Sequence, residues 1–327
     1  MIGGIVIAGI IVGGLTAGVI TLAVKSKPKL SKENIPEKLG ILDDVPIEPV
    51  LNKLHAALGD EYLHQVKQRF LQENPKLTED VFEWRLFELK RYFILSNILK
   101  KTPMFSHEVD EVWHTMILFT QKYQTFSERF LGQMLHHTPN TNPKPAPQER
   151  AFFDWAFSQL FQITQFSWKS WGSFFNHPLD SRILKDFKES PNEVLIERYF
   201  KVNEDNKELI EYLVSKMKKQ VSEAEEIYQV DKKGKFTRIG NYGEMTSLSL
   251  VMIFFSYYYF DEYWKYAKIY AFTNPGHYTS GCTTAVFCGT SSSDQSGDNG
   301  GGNGHSGCSG SNCSGSSCSS CGSGCSS

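Results

Sequence analysis

Residues 2–24 form an unbroken run of apolar and small side chains without a single charge, and that run constrains the chain more than any other feature. At about 1.5 Å of rise per residue, about twenty such residues cross the hydrocarbon core of a bilayer. The segment therefore predicts a transmembrane helix. A secretory signal peptide carries basic residues before its apolar stretch, whereas here Lys25, Lys27, Lys29 and Lys32 come after it. Basic flanks stay inside, so the expectation is a single-pass cell-membrane protein with a cytoplasmic main domain. Membrane lipid is then its first partner. Gly9 with Gly13, and Gly14 with Gly18, have GxxxG spacing. That spacing admits self-association into a homo-oligomer, and plain tolerance of glycine in a lipid-facing helix accounts for the same residues.

All 34 Lys and Arg and all Asp and Glu except Asp294 and Asp298 lie within residues 25–288. This balance argues against a nucleic-acid partner, because phosphate binding needs a clustered excess of basic groups. The absence of cysteine before Cys282 excludes a disulfide-stapled central fold. Apolar residues recur at three and four through most of the middle, and strand signals are scarce, so the fold class expected is all-α. Its parts are an N-terminal transmembrane helix (1–24), a linker (25–48), a helical domain (49–138), a Pro-rich loop (139–148), an aromatic-rich helical region (149–288) and a disordered tail rich in Gly, Ser and Cys (289–327). Helices are expected at 50–58, 61–72, 79–100, 107–131, 191–199 and 205–228, with Thr78 and Ser106 as N-caps.

Two stretches admit two placements. Residues 152–175 hold Trp155, Trp168, Trp171 and many phenylalanines, which suits a core helix or a segment lying on the bilayer. Residues 246–260 are apolar but short for a span. A buried helix is expected there, with a second membrane span as the alternative.

The chemistry-bearing stretch is 106–139. On a helix turning about 100° per residue, Val109, Val112, Trp113, Met116, Thr120 and Tyr123 form an apolar seam, and His107, Asp110 and His114 fall within about 60° of one another opposite it. His136 and His137 follow one loop later. His nitrogen and carboxylate oxygen are ligands for zinc or another first-row metal, so His107, Asp110, His114 and one of His136 and His137 make a candidate tetrahedral shell. The HExxH pattern is absent. A buried polar pair of Asp110 and His114 that orients Trp113, or general acid–base work, uses the same side chains.

Val109-Asp-Glu-Val-Trp-His114, then Ile117-Leu-Phe-Thr120, Tyr123, Phe126 and Leu135-His-His-Thr-Pro139, resemble the signature of the bacterial form of the glycine-rich domain-containing protein-like family. The resemblance covers about residues 81–139, and the Gly- and Cys-rich tail fits it. It implies a helical domain without an assigned reaction. Many members carry a second His two positions after the motif His, where this chain has Met116.

In the tail, Cys308, Cys313, Cys318, Cys321 and Cys325 follow His305. Reduced thiols of this kind take Zn(II) or Cu(I), and outside the cell they form disulfides. Only Cys318 and Cys321 have CxxC spacing, so a featureless tether is the other reading. Two functions from different classes follow: an interaction or scaffold module without catalysis, and a metal-binding protein or metal-dependent enzyme built on His107, Asp110, His114 and His136.

Overall fold

The computed structural model describes residues 30–137, 146–239 and 246–270, which fall within one compact unit. Among them every extended element is a helix or turn, apart from two isolated antiparallel bridges, Ile41 to Phe161 and Leu99 to Phe200. The transmembrane segment expected at 2–24, its glycines, Cys282, Cys288 and the tail all lie outside the described residues. Among the described residues no helix is long and apolar enough to cross a membrane.

The first α-helices are α1 (Glu48–Leu58), α2 (Asp60–Glu73), α3 (Glu79–Ile98), α4 (His107–Ile117) and α5 (Thr120–Leu131). Thr78 and Ser106 cap α3 and α4 as expected, accepting from the Val81 and Val109 amides. The single helix expected over 107–131 breaks at Phe119. That residue leaves the helical region (φ −89°, ψ 61°), and its ring packs 6.2 Å from Tyr62 of α2. The break resets the helical phase, so Thr120 is exposed rather than on the apolar seam.

The second half begins with α6 (Pro147–Leu160), entered by a proline at its first turn although 139–148 reads as a loop, where the missing proline N–H has no helical partner anyway. It continues through α7 (Gln165–Trp171), α8 (Ser181–Glu189), α9 (Asn192–Tyr199), α10 (Lys207–Val230), α11 (Leu248–Tyr258) and α12 (Tyr263–Ala267). Phe153, Trp155, Phe157, Phe161, Trp171 and Phe174 are buried, which places the aromatic run in the core rather than on a membrane surface. The second span considered for 246–260 is corrected likewise: α11 has 11 residues and is buried along most of its length. A segment that short covers about half of a hydrocarbon core.

The part of the expected linker that is described, residues 30–47, also packs on the domain. Leu39, Val45 and Ile47 are buried, and Trp84 Nε1 donates to the Ser31 carbonyl at 2.9 Å. The segment is held from α3, whose residues are buried nearly all round. Arg91 lies at the centre, fully buried. Its Nε donates to the Leu39 carbonyl at 2.8 Å, and its Nη1 reaches the Gln162 carbonyl at 3.2 Å, Ser167 Oγ at 3.0 Å and Glu88 Oε1 at 3.4 Å. Glu88 Oε2 in turn accepts from Trp171 Nε1 at 2.8 Å. Gly40, at φ +57°, lets the backbone come this close, since a Cβ there would stand 2.5 Å from Arg91 Nη2.

A second buried ion sits between α6 and the turn after α7. Asp154 accepts from Arg150 Nε and from the Phe175 amide, both at 2.8 Å. The Phe175 carbonyl accepts from Tyr263 of α12 at 2.8 Å. Burial pushes the Asp154 carboxyl up to about 6, against the lowering exerted by Arg150 and the Phe175 amide.

Arg91→Leu leaves Glu88 as a buried charge without its cation, and a loss of about 3–5 kcal/mol is expected in urea unfolding. Glu88→Gln offers one acceptor oxygen where Glu88 uses two and leaves Arg91 without its counter-charge, so a loss of similar size is expected. Asp154 gives a pH signature. Its folded value lies above the ordinary 3.8, so the native state holds this proton through the interval between the two. Its contribution to stability is therefore complete below about pH 4 and falls by up to about 3 kcal/mol as pH rises to about 6. Asp154→Asn should remove that slope between pH 4 and 6 in parallel unfolding curves; equal slopes in both proteins would refute the assignment.

Candidate functional site

Helix α4 carries its apolar residues inward. Val109, Val112, Trp113 and Met116 are buried, and the Met116 carbonyl accepts from Tyr62 Oη at 2.8 Å. Met116 is therefore a core residue at the position where the resemblance has a histidine. The opposite face holds Asp110 and His114, one turn apart. His114 Nε2 stands 3.6 Å from Asp110 Oδ2, and His137 Nε2 stands 2.8 Å from Asp110 Oδ1. The two imidazole rings meet edge to face with centroids 4.5 Å apart. One ligand atom from each of the three residues lies within 4.8 Å of the other two.

His137 reaches this position because its backbone is held from α5. Gly132 ends that helix in the left-handed conformation, φ 76°, which glycine adopts without a Cβ clash. The chain then returns across α4. Tyr123 Oη donates to the Leu135 carbonyl at 2.7 Å and accepts from Trp113 Nε1 at 2.9 Å. The Trp113 ring packs edge-on against His137, centroids 4.6 Å apart. Tyr123 thus ties the motif tryptophan to the segment that delivers the third donor, a role that its place on the seam did not reveal.

Two expected donors are not in the cluster. His107 is 86% exposed and stands 3.8 Å from Glu111 Oε1, while Glu111 also pairs with Arg85 of α3. His107 begins α4, one turn before Asp110, whereas the returning chain places His137 beside His114. His136 is exposed, so His137 is the member of that pair that joins the cluster. Among the three gathered side chains, His137 is 11% exposed, Asp110 18% and His114 49%. The cluster therefore has a closed side against Trp113 and an open side at His114. Each imidazole presents Nε2 to a different oxygen of one carboxylate, an arrangement satisfied by protons on the rings or by a cation between them. The tail thiols Cys308, Cys313, Cys318, Cys321 and Cys325 lie outside the described residues.

A family model described as UCP032817-like matches residues 53–162. That stretch, about a third of the chain, runs from α1 to just beyond α6 and contains the whole cluster. No curated protein and no solved structure matches the chain.

Tyr123→Phe should cost about 1–3 kcal/mol, because it strands the buried Trp113 Nε1. In chelator-treated protein, His114→Ala, on the open side, should change stability by less than about 0.5 kcal/mol. Chemical denaturation of the two variants beside wild type checks both values.

Proposed function

We propose that this chain is a membrane-tethered helical protein that binds a first-row divalent cation, zinc by its donor set, through Asp110, His114 and His137. The observation that carries the reading is the convergence of one carboxylate and one imidazole of α4 with the imidazole of His137, from the chain after α5, to within 4.8 Å of one another. Donors about 2.0–2.1 Å from a tetrahedral zinc stand about 3.3 Å from one another. The nearest nitrogen-to-oxygen separations, 2.8 Å from His137 and 3.6 Å from His114, run to different oxygens of Asp110, so the three donors would have to close in on one ion. Three protein donors leave a fourth position for water or for a ligand atom of a partner, as in open rather than closed zinc sites.

The uncharged run at 2–24 and the basic residues after it support the tether and a cytoplasmic domain. The resemblance of residues 81–139 to the glycine-rich domain-containing protein-like family supports a helical module of this kind and supplies no reaction. In the other reading, an interaction or scaffold module without catalysis, Asp110, His114 and His137 are a polar clasp that orients Trp113.

Metal content separates the two. Full-length protein purified without chelator, with Cys308, Cys313, Cys318, Cys321 and Cys325 changed to Ser, should hold one equivalent of zinc or another first-row metal by elemental analysis. Asp110→Asn and His137→Ala should each abolish that equivalent while the far-ultraviolet circular dichroism stays unchanged. Absence of metal before and after incubation with zinc would leave the clasp reading standing.

A further inference from the structure

The tyrosine-rich end of the domain carries a second feature, which involves neither α4 nor α5. After α10 the chain reads Asp231-Lys-Lys-Gly-Lys-Phe-Thr-Arg238, and Lys232, Lys233, Lys235 and Arg238 are exposed. Among the described residues these four cations form no ion pair, whereas nearby Lys188 pairs with Glu225 and Lys265 with Glu262. Of the acids beside them, Asp231 is half-buried and accepts from the Lys233 amide at 3.0 Å, Glu262 is exposed and pairs with Lys265, and Asp261 is exposed next to Phe260, so the four cations outnumber the acids of this face. The loop is fixed in place. Tyr259 Oη donates to the Lys232 carbonyl, and Tyr270 Oη donates to the Gly234 carbonyl at 2.8 Å.

Apolar side chains surround those two bonds. Val230, two residues before Lys232, is 90% exposed; Phe260, next to Tyr259, is 41% exposed; Ile269, next to Tyr270, is 46% exposed. These are half of the large hydrophobic residues exposed among the described residues, and the remainder, Leu118, Val194 and Val202, lie just after α4, on α9 and in the turn after α9. Half-buried Tyr258 stacks on Tyr228 near the end of α10 at 3.7 Å, and half-buried Tyr266 meets Tyr259 at 5.0 Å. Aromatic rings with polar tips, flanked by exposed aliphatics and unpaired lysines, match the depth profile of a bilayer surface: hydrocarbon, interface, headgroup.

We propose that this face, formed by the 231–238 loop with the ends of α10, α11 and α12, docks on the surface of an anionic bilayer. The cations meet lipid phosphate and carboxylate, and Val230, Phe260 and Ile269 enter the acyl boundary. A second copy of the chain fits less well, because a two-fold interface would set the same positive loop against itself. A nucleic acid offers no partner for the exposed aliphatic side chains.

The test uses full-length protein reconstituted into vesicles of phosphatidylcholine alone or with phosphatidylserine, read by hydrogen exchange of peptides covering 228–238 and 257–270. Each basic residue near such a surface is worth about a fivefold change in residence. Exchange in both peptides should slow at least about tenfold in the anionic vesicles, and Lys232→Glu/Lys233→Glu/Lys235→Glu should erase the difference between lipids. Val230→Ser/Phe260→Ser should weaken the protection in anionic vesicles while peptides from α3 exchange as in wild type. Equal exchange in the two lipids for wild type, or an anionic preference kept by the triple variant, would overturn the proposal. Protection that rises with protein density and ignores lipid charge would overturn it in favour of self-association.

Discussion

A guanidinium buried at the centre of the domain is the constraint on which the other contacts depend. Burying Arg91 is costly unless its N–H groups find acceptors; Nε and Nη1 do, while Nη2 has no hydrogen-bond partner among the described residues. Those acceptors come from three places far apart in sequence: Leu39 in the N-terminal segment, Glu88 on the same helix, and Gln162 and Ser167 between α6 and α7. Phe87 covers one face of the group at 4.0 Å. A rigid planar fork with donors in fixed directions suits this task better than a lysine would. Burial lowers Arg91 only to about 10, so it stays charged at neutral pH. Docking of the N-terminal segment and of the aromatic run is thereby specified together.

From this centre a continuous set of contacts leads to the metal-binding candidate. Glu88 holds the Trp171 indole, Trp171 stacks on Tyr92 at 6.2 Å, Tyr92 meets Trp113 at 5.4 Å, and Trp113 abuts His137 at 4.6 Å. The sequence of contacts is a statement of packing, in which close-packed rings leave few alternative positions for the next. The closed side of the donor cluster is therefore as rigid as the core behind it, while His114 stays open to solvent. Rigid placement of two donors beside a freer third suits a site that must admit an ion or exchange one.

Buried polar groups do similar work elsewhere. Asp154 collects Arg150 and the Phe175 amide, and Tyr263 closes over the same turn. Asn206 reaches Asn97 Oδ1 at 2.9 Å and the Lys201 carbonyl at 2.9 Å, which fixes α10 to the end of α3. Each such group has directional demands that a purely apolar interface lacks. Together they select one arrangement from the many ways in which aromatic helices pack.

Much of the helical pattern was legible locally. The caps at Thr78 and Ser106 and the inward face of α4 with Met116 among its core residues follow from spacing and side-chain type, which act within a turn or two, whereas the aromatic run suited both a core and a bilayer surface until the fold placed it in the core. The break at Phe119 did not follow locally, because it depends on Tyr62 of another helix. Nor did the docking of residues 30–47, whose prolines read as a linker and whose anchor is a guanidinium about fifty positions later. For the site, the sequence by itself determined that Asp110 and His114 share a face, since i and i+4 are adjacent on any helix. Only the tertiary structure decided that His137 joins them while His136 and His107 do not. Which ring completes the cluster is set by the path of the chain after Gly132 and by the Tyr123 bond to Leu135, contacts between segments that no local periodicity encodes.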